Sequence, residues 1–128
     1  MVSMSIRVFI LLFIIPTILF SHEKDKSRAF LFKEELRVSN EQFKLISTID
    51  NRYRTKYQKL NAEIQFRNSE LNEVIYSSPF NEKKATQILK KIADAQLLIR
   101  LNTIKHHLEI EKKLDSYQRM KFNEIFKP

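Results

Sequence analysis

The chain has no glycine in 128 residues, and this absence restricts the folds open to it. Glycine readily adopts positive φ angles, so primed hairpin turns and phosphate-binding loops depend on it. β-rich folds and P-loop or Rossmann nucleotide sites are therefore disfavoured. Cysteine is also absent, so the chain can form neither disulfides nor thiolate metal sites. The sequence predicts an all-α protein with a single domain.

The first 21 residues differ in composition from the rest. Arg7 is their only charged residue, and a run of 13 mostly apolar residues follows from Val8 to Phe20. Because a membrane-spanning helix needs about 20 apolar residues, this run better fits the hydrophobic region of a secretory signal peptide. We predict that residues 1–21 are a signal peptide, or an uncleaved N-terminal anchor, and that residues 22–128 form an exported helical domain.

The chain is basic, with 23 Lys and Arg against 15 Asp and Glu, and removal of residues 1–21 takes away only Arg7. A basic surface outside the cytoplasm can attract acidic proteins, anionic lipid headgroups or other envelope polyanions. Nucleic acid is the usual partner of a basic cytosolic protein, and export argues against it. We expect no nucleic-acid partner, and contact with the membrane only through the N-terminal segment.

Hydrophobic periodicity predicts two long helices. The first extends from Asn40 to about Tyr76, and Pro79 follows it as the break. Its apolar stripe consists of Phe43, Ile46, Ile49, Tyr53, Tyr57, Leu60, Ile64, Leu71 and Val74. The second extends from about Glu82 to Lys112. A short helix over about Lys26–Glu35, with Phe30 and Leu31 buried, is expected before them, and a closing helix over about Ser116–Phe126 after them.

The second long helix carries two apolar rows. The expected core row is Ala85, Ile88, Leu89, Ile92, Ala95, Ile99 and His106. The other row is Leu97, Leu101, Ile104 and Leu108. One row holds a helix against one neighbour, so a second row predicts a dimer interface or an exposed patch. Folded as a long bent helical hairpin, two such helices cannot hide all their apolar surface, and we therefore predict a homodimer.

A short motif occurs before the first long helix and again before the last helix. It reads VSNEQ at 38–42 and LDSYQ at 114–118. In each copy an apolar residue precedes a capping residue, and glutamine follows three positions after the cap. This is the pattern of a capping box, in which cap and glutamine bind each other's backbone N–H. The motif residues are Val38, Ser39, Gln42, Leu114, Asp115 and Gln118.

These features resemble the Spy/CpxP family of periplasmic LTxxQ-motif proteins, which has metal-responsive relatives of the CnrX and ZraP type. The likeness covers about residues 29–126, with Ser39 and Asp115 in place of the motif's threonine. It implies a four-helix protomer and an antiparallel, cradle-shaped homodimer. The concave face of that dimer would be basic with apolar patches and would bind unfolded or misfolded envelope proteins without ATP. In some relatives the cradle binds the periplasmic domain of a sensor kinase.

The resemblance also implies a location in the periplasm, or at the inner membrane through an uncleaved anchor that faces the periplasm. The expected function is therefore that of a periplasmic ATP-independent chaperone or envelope-stress adaptor. The alternative is a heavy-metal or stress sensor that regulates a membrane-bound sensor protein. Basic residues on the long helices are the candidate client-binding residues: Arg52, Arg54, Lys56, Lys59, Arg100 and Lys105.

Metal binding and catalysis have less support in the sequence. Ligand pairs on a helix are usually spaced by three or four residues, whereas His106 and His107 are adjacent and diverge by about 100°. His22 could bind Cu(II) or Ni(II) together with a free amine only if cleavage follows Ser21. We therefore expect no metal site and no cofactor. If a metal did bind, His22, His106 and His107 would be the candidate ligands. Because no nucleophile–base pattern, H-E-x-x-H motif or Gly-rich loop is present, we expect no enzymatic activity.

Overall fold

A computed structural model describes residues 28–127, and every regular element in this range is helical. A π-helical turn at Leu31–Glu35 is followed by α1 (Asn40–Ile75), α2 (Glu82–Glu111) and α3 (Ser116–Ile125). For these residues the predicted all-α fold with four helical elements is confirmed. The predicted signal or anchor segment at 1–21 lies outside the described residues. Within residues 28–127, no helix is long and apolar enough to cross a membrane.

The chain divides into two compact units, one up to Phe43 and one from Lys44 onward. In the first unit the N–H of Leu36 donates to the carbonyl of Leu31 at 3.0 Å, the i to i−5 bond of a π-helix. Phe32 and Leu36 are the buried residues here, whereas Phe30 is 60% exposed, so its predicted burial is wrong. Leu31 is half-buried. Phe32 and Leu36 are four residues apart and therefore share one face of the helical turn.

Arg37 ends the π-helical turn in a conformation that glycine would favour. Its φ angle is 50°, in the left-handed region. The N–H of Val38 then donates to the carbonyl of Phe32 at 3.2 Å, which closes the turn before α1. A left-handed non-glycine residue costs on the order of 1–2 kcal/mol. The absence of glycine therefore did not prevent a left-handed turn in this chain, but it made the turn costlier.

Both predicted capping boxes are present. At the start of α1, Ser39 N–H donates to Gln42 Oε1 at 2.8 Å and Gln42 N–H donates to Ser39 Oγ at 3.0 Å. At the start of α3, Asp115 N–H donates to Gln118 Oε1 at 3.0 Å and Gln118 N–H donates to Asp115 Oδ1 at 2.8 Å. The two boxes differ in burial, because Gln118 is only 6% exposed.

In the second unit, α1 and α2 pack along the predicted stripes. One apolar cluster contains Val74, Ala85, Ile88 and Ile92, with Ile64 and Leu71 against it. Tyr53, nearer the start of α1, contacts Glu109, near the end of α2. The two helices therefore run antiparallel. Leu89 was predicted on the core side but is 51% exposed. It follows Ile88 directly, and adjacent helical residues diverge by about 100°, so only Ile88 faces the cluster.

The closing helix α3 is anchored to the end of α2. Phe122 is 1% exposed, and its ring stacks on His107 with 4.4 Å between ring centroids. His107 Nε2 also lies 2.7 Å from Asn123 Oδ1. Ile110 and Leu114 are buried in the same segment. An apolar and aromatic contact thus holds α3 once the Asp115 cap has started it.

The two boxes predict different costs for the same substitution. Gln118→Ala should lower the free energy of unfolding by about 2 kcal/mol and Gln42→Ala by about 0.5 kcal/mol, because only the Gln118 side chain is buried. Urea denaturation followed by helical circular dichroism measures both. Asp115→Asn is the control, since asparagine caps as well as aspartate. Equal losses of unfolding free energy in Gln118→Ala and Gln42→Ala would contradict the larger contribution predicted for the buried capping box.

Candidate functional site

A polar cluster lies where α1 meets α2 and is formed by Asp50, Arg52, Tyr53, Tyr57, His106 and Glu109. At its centre Tyr53 is 1% exposed, and its hydroxyl donates to Glu109 Oε1 at 2.5 Å. Arg52 pairs with the other carboxylate oxygen, Glu109 Oε2. Lys56 Nζ lies 4.7 Å from the centroid of the Tyr53 ring. The buried phenol is thus satisfied by a carboxylate that a guanidinium keeps in place.

His106 joins the same cluster from α2. Its ring stacks on Tyr53, with centroids 4.6 Å apart and 7° between the planes. Nε2 lies 2.6 Å from Asp50 Oδ1, and Nδ1 lies 3.2 Å from the hydroxyl of Tyr57. An ionised carboxylate only accepts hydrogen bonds, so Nε2–H donates to Asp50. Because both ring nitrogens are hydrogen-bonded within the protein, His106 acts here as a link between the two helices.

The cluster alters the acidity of two of its members. Burial raises the pKa of Tyr53 to about 12, and the hydrogen bond to Glu109 acts in the same direction. That hydrogen bond from Tyr53 is also the main cause that lowers the pKa of Glu109, and the charge of Arg52 adds to it. The pair is therefore held as a neutral phenol and a charged carboxylate.

The two adjacent histidines serve different contacts. His107 faces α3, and besides Asn123 its Nε2 lies 3.2 Å from Glu111 Oε1. Among residues 28–127, no three His, Asp or Glu side chains are grouped so that they could hold a metal ion. His22 lies outside the described residues. The geometry thus gives His106 and His107 structural partners in place of a shared ligand role.

The six predicted client-binding residues are distributed over α1 and α2. All six are exposed. Arg52 and Lys56, however, contact Glu109 and Tyr53 of the polar cluster. Arg54 lies between them in the sequence, Lys59 follows one turn after Lys56 on α1, and Arg100 and Lys105 lie on α2. Sequence reasoning found these basic side chains but not the engagement of Arg52, because its partner Glu109 lies 57 positions away.

The second apolar row of α2 is exposed along its whole length. We call Leu97, Leu101, Ile104 and Leu108 the outward row; they are 67%, 43%, 48% and 48% exposed. Leu97 and His106 are nine residues apart, or about two and a half turns, so the row lies on the side of α2 opposite to the polar cluster. The prediction of a second apolar surface is confirmed for the single chain.

Within the stretch of α2 that carries the outward row, the charged side chains are all basic. No Asp or Glu occurs between Ala95 and Leu108, and Arg100 and Lys105 are the Lys and Arg residues of that stretch. At 3.6 residues per turn, Arg100 falls on one side of the row and Lys105 on the other. Asp94 precedes the stretch, and Glu109 after it is turned toward Tyr53 and Arg52. The row with these two flanking cations is the candidate binding surface.

A second exposed region at the turn between α1 and α2 was missed by sequence reasoning. Ile75, Tyr76 and Phe80 are 49%, 87% and 57% exposed. A cavity of about 650 Å³ lies beside them, lined by Glu73, Val74, Ser77, Pro79, Phe80, Asn81, Glu82 and Lys84. Aromatic residues on both sides of the proline break were the available signal. The lining of the cavity contains both acidic and basic side chains, so it does not favour a ligand of one charge.

Comparison with known proteins gives no match for this chain: no family model, no curated protein and no solved structure is significantly similar to it.

Tyr53 allows a direct test of the polar cluster. Tyr53→Phe should lower the free energy of unfolding at neutral pH by about 1–2 kcal/mol, because a hydrogen bond to a charged acceptor is lost. The wild-type protein should also lose stability as the pH rises from 10 through 12, since the unfolded phenol ionises first. Tyr53→Phe should remove that alkaline loss.

Urea denaturation at pH 7, 10 and 11.5 measures both effects. Tyr76→Phe is the matched control, because the Tyr76 side chain is 87% exposed and should contribute little at any of these pH values. An alkaline loss that is the same in wild type and Tyr53→Phe would show that Tyr53 is not the titrating group.

Proposed function

We propose that the protein is a periplasmic ATP-independent chaperone or envelope-stress adaptor that resembles the Spy/CpxP family. The observation that supports this proposal is the outward row with Arg100 and Lys105 beside it. Soluble monomeric proteins rarely leave a continuous apolar patch of this kind uncovered unless it binds something. An unfolded or misfolded chain offers both exposed apolar side chains and negative charges to such a surface.

Binding on this surface would combine two weak forces. The positive charge of the chain attracts acidic segments and speeds encounter, and the effect weakens with salt. The apolar row then makes contacts that do not require a defined partner shape. Because the row consists of only four apolar side chains, each client would dissociate quickly and could refold in free solution. No nucleotide is needed for this cycle.

We further propose that α1 and α2 form a long bent helical hairpin, and that two chains pair as an antiparallel, cradle-shaped homodimer. The length of the two helices supports the pairing. Analytical ultracentrifugation of the purified protein at micromolar concentration should give twice the mass of one chain. A single species of monomer mass would contradict the dimer.

Chaperone activity is tested by aggregation of an unrelated denatured protein. The purified protein should suppress light scattering at a near-stoichiometric ratio, without nucleotide and more strongly at low salt. In the variant Leu101→Ser/Ile104→Ser, the concentration needed for half suppression should rise by roughly tenfold, because two apolar contacts are removed.

Leu89→Ser provides the matched control, since Leu89 is an equally exposed leucine of α2 that lies outside the outward row. It should suppress aggregation like the wild type. Absence of suppression by the wild type at low salt would reject the chaperone function. Equal activity of the double variant would reject the outward row as the client site. A purified sensor domain bound by the wild type in place of denatured clients would favour the adaptor role.

A further inference from the structure

We propose that the outward row of α2 binds an anionic membrane surface. This goes beyond the membrane contact predicted for the N-terminal segment, and it does not depend on chaperone activity. The proposal assigns a lipid partner to Leu97, Leu101, Ile104 and Leu108, with Arg100 and Lys105 at the level of the lipid phosphates.

The geometry of the row is that of an interfacial helix. Its four side chains fall within about 60° around α2 and extend for about 16 Å along it. A helix that lies in a membrane interface buries such an apolar strip about 5–10 Å deep, with basic residues along the edges of the strip. Arg100 and Lys105 occupy those two edges, and their long side chains can reach outward to the headgroups.

Charge favours a lipid surface over a second copy of the chain. If two copies met through their outward rows, two arginines and two lysines would come together. The stretch from Ala95 to Leu108 contains no carboxylate that could pair with them. Asp94 precedes this stretch; after it, Glu109 is bound by Tyr53 and Arg52, and Glu111 lies against His107. Anionic headgroups supply the missing negative charge, so a homodimer would use another face of the protomer.

The shape of the row also favours lipid over a folded protein partner. All four residues are carried by one helix, on the side opposite to the contact with α1. Recognition of an amphipathic partner helix usually requires a groove with walls on both sides. A single helix presents a ridge, and a fluid interface can deform around a ridge.

The absence of cysteine makes a site-specific test possible. Ile104→Cys in the full chain carries a single environment-sensitive fluorophore in the row. Gln96→Cys carries the same label on an exposed position about 110° from the centre of the row. With phosphatidylglycerol vesicles, the label at 104 should shift to the blue and become protected from an aqueous quencher. The label at 96 should change little, and phosphatidylcholine vesicles should affect neither.

This comparison separates the row from the N-terminal apolar segment, because both labelled chains carry the same N-terminus. Equal responses at the two positions, or none at 104, would overturn the proposal. A shift at 104 without vesicles that grows with protein concentration would indicate self-association through the row. A shift with polyglutamate but not with vesicles would indicate an acidic polypeptide partner. Either result would also reject the lipid assignment.

Charge variants give a second readout. On the Ile104→Cys background, Arg100→Gln/Lys105→Gln should weaken the vesicle affinity by roughly tenfold, since each basic residue near an anionic surface contributes to binding. Lys84→Gln/Lys91→Gln removes the same charge from exposed positions on another side of α2 and should weaken it by about twofold or less. Equal effects would mean that net charge alone attracts the protein. Aggregation suppression measured without lipid reports separately on the proposed chaperone function.

Discussion

Burial of the Tyr53 hydroxyl is the constraint on which the packing of α1 and α2 depends. A buried phenol without an acceptor would cost on the order of 1–3 kcal/mol, so Tyr53 can lie in this contact only where a partner meets it. Glu109 is that partner, and its own desolvation is offset by Arg52. Apolar stripes alone would allow two helices to slide by a turn. Such a slip would break the hydrogen bonds of Tyr53 and His106 and leave their polar groups unpaired, which costs free energy.

This fixed contact decides what α2 presents to its surroundings. With His106 and Glu109 turned toward α1, the residues half a turn away must point outward, and those residues are leucines and an isoleucine. The outward row is therefore exposed because α1 covers one side of α2 and α3 contacts only its end at His107. The same orientation engages the carboxylate of Glu109 with Tyr53 and Arg52. The positive charge beside the row follows from the polar cluster as much as from the sequence of α2.

The helix bounds could be predicted from sequence because their causes are local. Capping boxes act over three residues and the proline break over one, and the structure has α2 and α3 starting at Glu82 and Ser116 as expected. The π-turn was not predicted, because Phe30, Leu31, Phe32 and Leu36 are all apolar and this pattern does not show which of them are buried or which helical geometry they adopt. The polar cluster escaped it for another reason. Tyr53 and Glu109 are 56 positions apart, and periodicity shows which face is buried but not which residue lies opposite.

The repeated motif acquires a physical meaning from its surroundings. Four residues after each glutamine stands a nearly inaccessible apolar residue, Ile46 in α1 and Phe122 in α3, each 1% exposed. A cap satisfies the first N–H groups of a helix, but it cannot by itself keep a ten-residue helix folded in water. Phe122 supplies that stabilisation for α3 through its stacking on His107. The motif thus couples a helix start to a buried contact little more than one turn later. α2 starts without this motif, from Asn81, whose side chain accepts the N–H of Lys84. The likeness between VSNEQ and LDSYQ is therefore explained by folding at these two helix starts and requires no shared reactive chemistry.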